Sequence, residues 1–396
     1  MTARNNSHKA RFGDRLTWVA ALIVLIFSSV LMLESQSAAS YGSYLLALVM
    51  LISLPRWIDV RSCDLFWFAV ILLVYLAVST LWSDELHARS VLSVCVRVVL
   101  TLLFVVAIAE SQLRGLMQNA LGVALSVVGL IAACAAFLVH YLDPPPDGRL
   151  MGLGQLDNNV IAGLVFAVAC LFAMRHAIVS GNPVWNKIGW FAVVILSLAV
   201  FATGSRGAIG SFAVGVAVYW SARWTQKPTQ FFSLVLPMAV VVGTIGLVLT
   251  QTTMVDVLFP RGDSFRLEIW EAAITKTIQG GPVFGLGILT PDDFQVGGQT
   301  ILHPHSLYVS VFFQGGVVGL ILLTGLIARA SWVLLSNFSD ADAKFGLAIF
   351  AIALTAYLFD EHELVDKVGS TWFLFWLPVG FAMGLQWRPK PRGRVH

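Results

Sequence analysis

Charge is scarce in this chain. Asp, Glu, Lys and Arg supply 12% of its 396 residues, whereas a water-soluble domain carries about a quarter. Hydrophobic residues make up 58% and the mean hydropathy is +0.81. That balance excludes a soluble globular enzyme, and a formal net charge of +3 offers no basic surface for nucleic acid. Cysteine is nearly absent. Cys63, Cys95, Cys134 and Cys170 lie in or beside apolar runs without CxxC spacing, which excludes a disulfide framework and a cysteine zinc site. There is no HExxH pair and no GK[ST] phosphate loop, so a zinc hydrolase helix and a P-loop are excluded as well.

Long apolar runs are abundant. They fall at about 17–33, 41–55, 65–82, 91–109, 120–141, 159–178, 188–203, 207–223, 231–249, 307–328, 345–359 and 370–387. Each is long enough to cross about 30 Å of hydrocarbon or nearly so. The expected fold is an all-α polytopic integral membrane protein of about 12 transmembrane helices, with residues 1–396 forming a single transmembrane domain. "SQSAAS" (35–40) supplies the small residues of a cleavage site, but the apolar run before it exceeds a typical signal core, so the first helix is expected to be retained. An even number of spans puts both termini on one side. That side collects 17 of the 25 Lys and Arg residues, the other side 7, and Arg97 falls within a span. The basic side is the cytoplasmic one, so the largest loop, 250–306, faces outward.

The chemistry-bearing residues gather on that outer face. In the hairpin "TGSRGAIG" (203–210), two glycines allow a tight turn with N–H groups free for an anion, and Arg206 is pinned at the membrane surface. The structural alternative is an arginine snorkelling from a helix end; the scarcity of cations on this face favours function. In the large loop, "RGDSFRLEIWEAAITKTIQ" (261–279) has Asp263 or Ser264 positioned to cap an amphipathic helix. Arg266, Ile269, Trp270 and Ala273 share one of its faces. Such an interfacial helix aims Arg266 at lipid phosphates or at a site.

Next comes "HPHSLYVSVFFQGGVVGL" (303–320). Ser306 stands where it can cap the helix beginning at Leu307, and positions 305, 309, 312, 316 and 319 follow one helical stripe. The adjacent glycines 315 and 316 weaken a helix, so their presence calls for a packing or ligand reason. His303 and His305 read as zinc ligands, as interfacial polar residues, or, for His305, as a general base at an anion-lined site. The first lacks a third ligand, and the last fits the arginines nearby. Asp292 and Asp293 read as a divalent-ion pair or a solvated loop. Asp360, Glu361, Glu363 and Asp366 crowd the last outer loop, where one acid has the chance to orient a histidine. Arg97, costly in lipid, is expected to face the protein interior, serving the same anion as Arg206 or bracing helices.

These residues resemble the O-antigen ligase and polymerase superfamily of bacterial envelope glycosyltransferases. The resemblance rests on the span count, the "LWSDELHARS" (81–90) and "GQLDNNVIAGL" (154–164) segments, the "TGSRG" hairpin, and His305-Ser306, then nine residues, then Gly316-Val317-Val318-Gly319. One dominant outer loop favours ligase over polymerase. The resemblance implies a GT-C-like fold with interfacial helices in a large periplasmic loop. It implies a metal-independent, inverting transfer of a glycan from undecaprenyl diphosphate to lipid A–core oligosaccharide, at the periplasmic face of the inner membrane. It implies no cofactor, nucleotide or nucleic acid. His305 would be the base and Arg206 and Arg266 would hold the diphosphate, with Arg97 a further donor-binding candidate and His303 and Asp360 accessory candidates. Two other classes stay open: a lipid-linked glycan transporter or flippase, which expects charges near the bilayer midplane between repeated halves, and an envelope scaffold without activity.

Overall fold

The computed structural model describes residues 2–52, 62–85, 87–232, 266–296, 298–360 and 363–387, with side chains from Thr17 onward apart from Gln299. Its helices are α1 (Thr2–Met32), α2 (Gln36–Ile52), α3 (Asp64–Val78, closed by a 3-10 turn at Ser79–Trp82), α4 (Ala88–Leu113), α5 (Ala120–Leu142) and α6 (Asn159–Val179). There follow α7 (Pro183–Ala202), α8 (Arg206–Trp224), α9 (Arg266–Gly280), α10 (Leu307–Ser336) and α11 (Ala341–Phe359). Last is α12 (Trp372–Gln386), which opens with a π turn at Trp372–Trp376. Among the described residues seven helices are long and apolar enough to cross a membrane, and three shorter apolar ones accompany them at Thr17–Met32, α2 and α12. Eleven of the twelve expected segments coincide with described helices; most of the segment at 231–249, and the first part of the 250–306 loop, lie outside the described residues.

Sequence chemistry sets the helix starts. Asn158, Asn182, Ser205 and Asp340 each accept a bond from a first-turn N–H, at 2.8, 2.9, 3.2 and 2.8 Å, and Pro183 follows Asn182 at the first helical position. One apolar core runs through the bundle, with Phe166, Phe345, Phe350 and Trp376 fully buried. Helix association in lipid depends on such close packing rather than on escape from water.

The loops segregate to two ends. At one end Leu150 N bonds Ala202 O, Gln155 N bonds Val30 O, and Asp84 N bonds Thr290 Oγ1. At the opposite end Asp342 gathers Arg175, Gln112 and Gln118, Lys344 Nζ reaches Thr225 O at 2.7 Å, and Arg329 grips Asp64 with two bonds. Arg206, Arg266 and His305 all belong to the first end.

Two features depart from the sequence expectation. The fold is not wholly α: Phe294–Val296 and Gln299–Ile301 pair as an antiparallel hairpin. This hairpin packs with α9 and the start of α10 in a second small core of Ile269, Ala273, Phe294, Val296 and Phe313. Second, α10 is broken. Gly316 has φ 60° and ψ −158°, so the helical stripe expected through 305, 309, 312, 316 and 319 does not continue past the break. The segment 282–287 enters the gap and pairs with the freed backbone. Leu286 N donates to Phe313 O (2.8 Å), Gly287 N to Gln314 O (2.9 Å), Val317 N to Pro282 O (2.9 Å) and Val318 N to Val283 O (3.1 Å). Tyr75 of α3 adds its hydroxyl to Gly315 O at 2.7 Å. Irregular backbone at such depth survives only when satisfied in this way.

Candidate active site

The "TGSRG" turn is built from its own side chains. Gly204 takes φ 58°, which only glycine adopts without strain, and the Ser205 hydroxyl caps α8. Arg149 Nε clamps the turn by donating to Thr203 O at 2.7 Å. Arg206 therefore occupies the first position of α8 and is exposed. A cation there opposes the helix dipole, and an anion in front of it satisfies both the guanidinium and the free N–H groups.

Facing it is α9. Ile269 and Ala273 are buried, and Arg266 and Trp270 lie on the same side at its edge. Arg206 and Arg266 together line a groove of about 410 Å³ whose walls include Gly210, Ser211, Trp270 and Phe359. Ser211 Oγ is buried and has no hydrogen-bond partner among the described residues, leaving a donor for whatever fills the space.

His305 is not among the residues lining this groove but is tied through neighbouring residues to two that are. Trp270, a groove wall, donates its Nε1–H to Pro304 O at 2.9 Å. That strap holds the following residue at φ 51°, a left-handed conformation costing about 1–2 kcal/mol outside glycine. His303 packs on the His305 ring at a centroid separation of 4.0 Å. On the other side His305 Nδ1 lies 3.6 Å from Oδ1 of the buried Asp360, within ion-pair range though longer than a hydrogen bond. Asp360 directly follows Phe359, the groove residue ending α11. With Nδ1 turned to a carboxylate, Nε2 is the nitrogen left to take a proton.

Other candidates fall elsewhere. Arg97 does not join the arginine groove: it sits 3.8 Å from Asp366 and lines a separate cavity with no residue in common. Ser306 holds the cap position of α10 without a side-chain cap bond; its backbone carbonyl accepts from Ser310 N instead. The proposed caps Asp263 and Ser264, like Arg261, lie outside the described residues. Asp292 is pushed up to about 6 by burial first and by neighbouring Asp293 second. Glu363 rises to about 8, through burial and then through Asp366. Among the described residues no three His, Cys, Asp or Glu side chains converge as a metal site. Sequence reasoning missed Tyr75, Ser79 and Ser83; the two serine hydroxyls accept from Ile288 N and Leu289 N and hold the 282–290 segment in place.

Fold and site thus define a helical membrane protein with a dicationic, imidazole-flanked groove at one end of its bundle. Residues 191–324 match the family described as O-antigen ligase, a stretch that contains Arg206, Arg266, His305 and the Gly316 break. Over 317 residues, 79% of this chain and 76% of the relative, the sequence is 25% identical to a protein of Pseudomonas aeruginosa named O-antigen ligase. Both comparisons bear out the resemblance of this chain to the O-antigen ligase family.

Proposed function

We propose that the protein is an O-antigen ligase of lipopolysaccharide biosynthesis. It transfers a glycan from undecaprenyl diphosphate to a sugar hydroxyl of lipid A–core, at the periplasmic face of the inner membrane. In this reading residues 1–396 form one transmembrane domain of about twelve spans, with a GT-C-like fold and cytoplasmic termini. The observation that carries it is the shared groove of Arg206 and Arg266 beside His305. Within it an acceptor hydroxyl attacks the anomeric carbon as the carbon–oxygen bond to the diphosphate breaks. The proton goes to His305 Nε2, with Asp360 stabilising the imidazolium, a contribution of about 10²–10⁴-fold. The leaving diphosphate gains negative charge between two guanidinium groups, worth on the order of 3 kcal/mol per good contact. One displacement inverts the anomeric centre, and no metal is required. The midplane charges that a transporter expects are not the pattern here, since the described cations, Arg97 being the partial exception, gather toward the ends of the bundle.

The test is purified protein with lipid-linked glycan and lipid A–core in detergent. His305→Ala should abolish transfer and keep donor binding, while Arg206→Ala should raise donor KM. Wild-type turnover by His305→Ala would refute the base assignment. Activity lost in excess chelator and restored by a divalent ion would refute the metal-free mechanism. In a deletion strain, loss of the whole lipopolysaccharide ladder supports the ligase, and a single residual repeat would point to the polymerase.

A further inference from the structure

The cations at the His305 end sort into groups. Arg206 and Arg266 share the groove above. Arg149 and Lys276 are tied to backbone carbonyls, at Thr203 and Pro291. The remaining described ones, Arg89, Arg97 and Lys367, line a second cavity of about 370 Å³ between α2, α4 and the start of α12. Among the described residues one acid, Asp366, lines it with them, 3.8 Å from Arg97. Glu363, hydrogen-bonded to Asp366, is pushed up to about 8, by burial first and by Asp366 second. Trp372 also lines the cavity; it is 2% exposed, and its Nε1–H has no hydrogen-bond partner among the described residues. A buried donor left open on a wall residue of that cavity points to a missing acceptor oxygen.

The cavity is amphipathic along α4. Arg89 lies in the first turn and Arg97 about 12 Å further along the axis, with Leu92 and Leu100 on the same wall. A lipid phosphate would meet the cations at headgroup level while its chains run along the leucines. The position is equally telling. Phe359, before Asp360, lines the first groove, and Asp366 and Lys367, after it, line the second. The chain on either side of the His305 carboxylate partner thus contributes to both cationic grooves, an arrangement that suits a transferase with two lipid-anchored substrates.

We infer that the groove of Arg89, Arg97 and Lys367 binds the phosphate of the lipid-anchored acceptor and shares no residue with the groove of the donor diphosphate. The inference rests on the ligase reading. It is tested with the full-length protein by measuring the Kd of lipid A–core with its phosphates intact or removed, in the absence of donor. Arg89→Ala/Lys367→Ala should weaken binding of the phosphorylated lipid at least about tenfold, the loss of one charged contact. Wild type should bind the dephosphorylated lipid similarly weakly, and the double variant should lose nothing further there. Arg97→Gln/Asp366→Asn, which removes the ion pair together, should behave alike. Unchanged Kd values in folded variants would overturn the site, and displacement of the acceptor by equimolar phosphatidylglycerol would overturn its assignment to the acceptor. Binding is read without donor, so variants that show this loss of affinity in a protein that transfers nothing once donor is added would support this site while overturning the ligase reading.

Discussion

Gly316→Ala should be among the most damaging single-methyl changes in the protein, and the structure says by how much. At φ 60°, ψ −158° the residue occupies a region open essentially to glycine alone, so a Cβ there costs about 1–3 kcal/mol in backbone strain. The added carbon would also fall on the Val283 carbonyl and the Gly285 nitrogen, both backbone atoms that cannot rotate away. Overpacking of that kind costs about 1–3 kcal/mol. The alternative is to let segment 282–287 withdraw, which forfeits four backbone bonds worth about 1 kcal/mol each. Either route arrives near 3–5 kcal/mol. Gly319→Ala is the control. Its Cβ meets nothing closer than Val311 O at 3.2 Å, and alanine regains about 1 kcal/mol of helix propensity, so its net cost should stay below about 1 kcal/mol. Reversible unfolding in mixed detergent micelles reads the difference. Equal stability of the two variants would refute the account of the break, as would a Gly316→Ala protein of wild-type stability.

Three further outcomes follow from the same geometry. Trp270→Phe keeps an aromatic groove wall but loses the bond to Pro304 O, so kcat should fall ten- to a hundredfold with a smaller change in donor KM, as expected for a displaced base; an unchanged kcat would show that the strap is idle. Glu363 is raised from 4.5 to about 8, so the native state holds an extra proton between those values and stability should decline as pH climbs from 4.5 to 8. Glu363→Gln should flatten that decline in melting experiments, with Asp292, raised to about 6, supplying a smaller slope of the same sign at lower pH. Arg175→Met leaves the buried Asp342 carboxylate without its cation, which should cost about 3–5 kcal/mol; adding Asp342→Asn should recover most of it, and an additive double variant would contradict the pairing.

Much of this was legible in the sequence because membrane helices satisfy their own backbone, so apolar length alone marks them. The gathering of Arg206, Arg266 and His305 at one end followed from span parity and the placement of Lys and Arg. What could not be read was any contact made across the chain. Nothing local to "FFQGGVVG" says which glycine leaves the helix, since the partner that fills the gap lies some thirty residues earlier in "GGPVFGLG". Asp360 was one acid among four in its loop; only the fold brings it to His305. Arg97 illustrates the opposite failure, because a cation in a span has no address until the helices pack. The hairpin in "FQVGGQTI" did carry a signal, alternating residues about a glycine pair, which the surrounding apolar runs obscured.

The break in α10 and the strained His305 belong to one device. Segment 282–287 is locked into the helix from one side, and Trp270 straps Pro304 from the other. Between them the loop from 282 to 306 is fixed at both ends, with the small core of Phe294, Val296 and Phe313 beneath it. In the ligase reading, a base in a left-handed turn keeps its aim only if its surroundings over-determine it, and such a transfer gains most from groups that need no rearrangement as charge develops. The spaced glycine pair and the histidine are therefore tied by mechanics: the glycine lets the helix open, the opening anchors the loop, and the loop carries the His305 turn that Trp270, a wall of the arginine groove, straps in place.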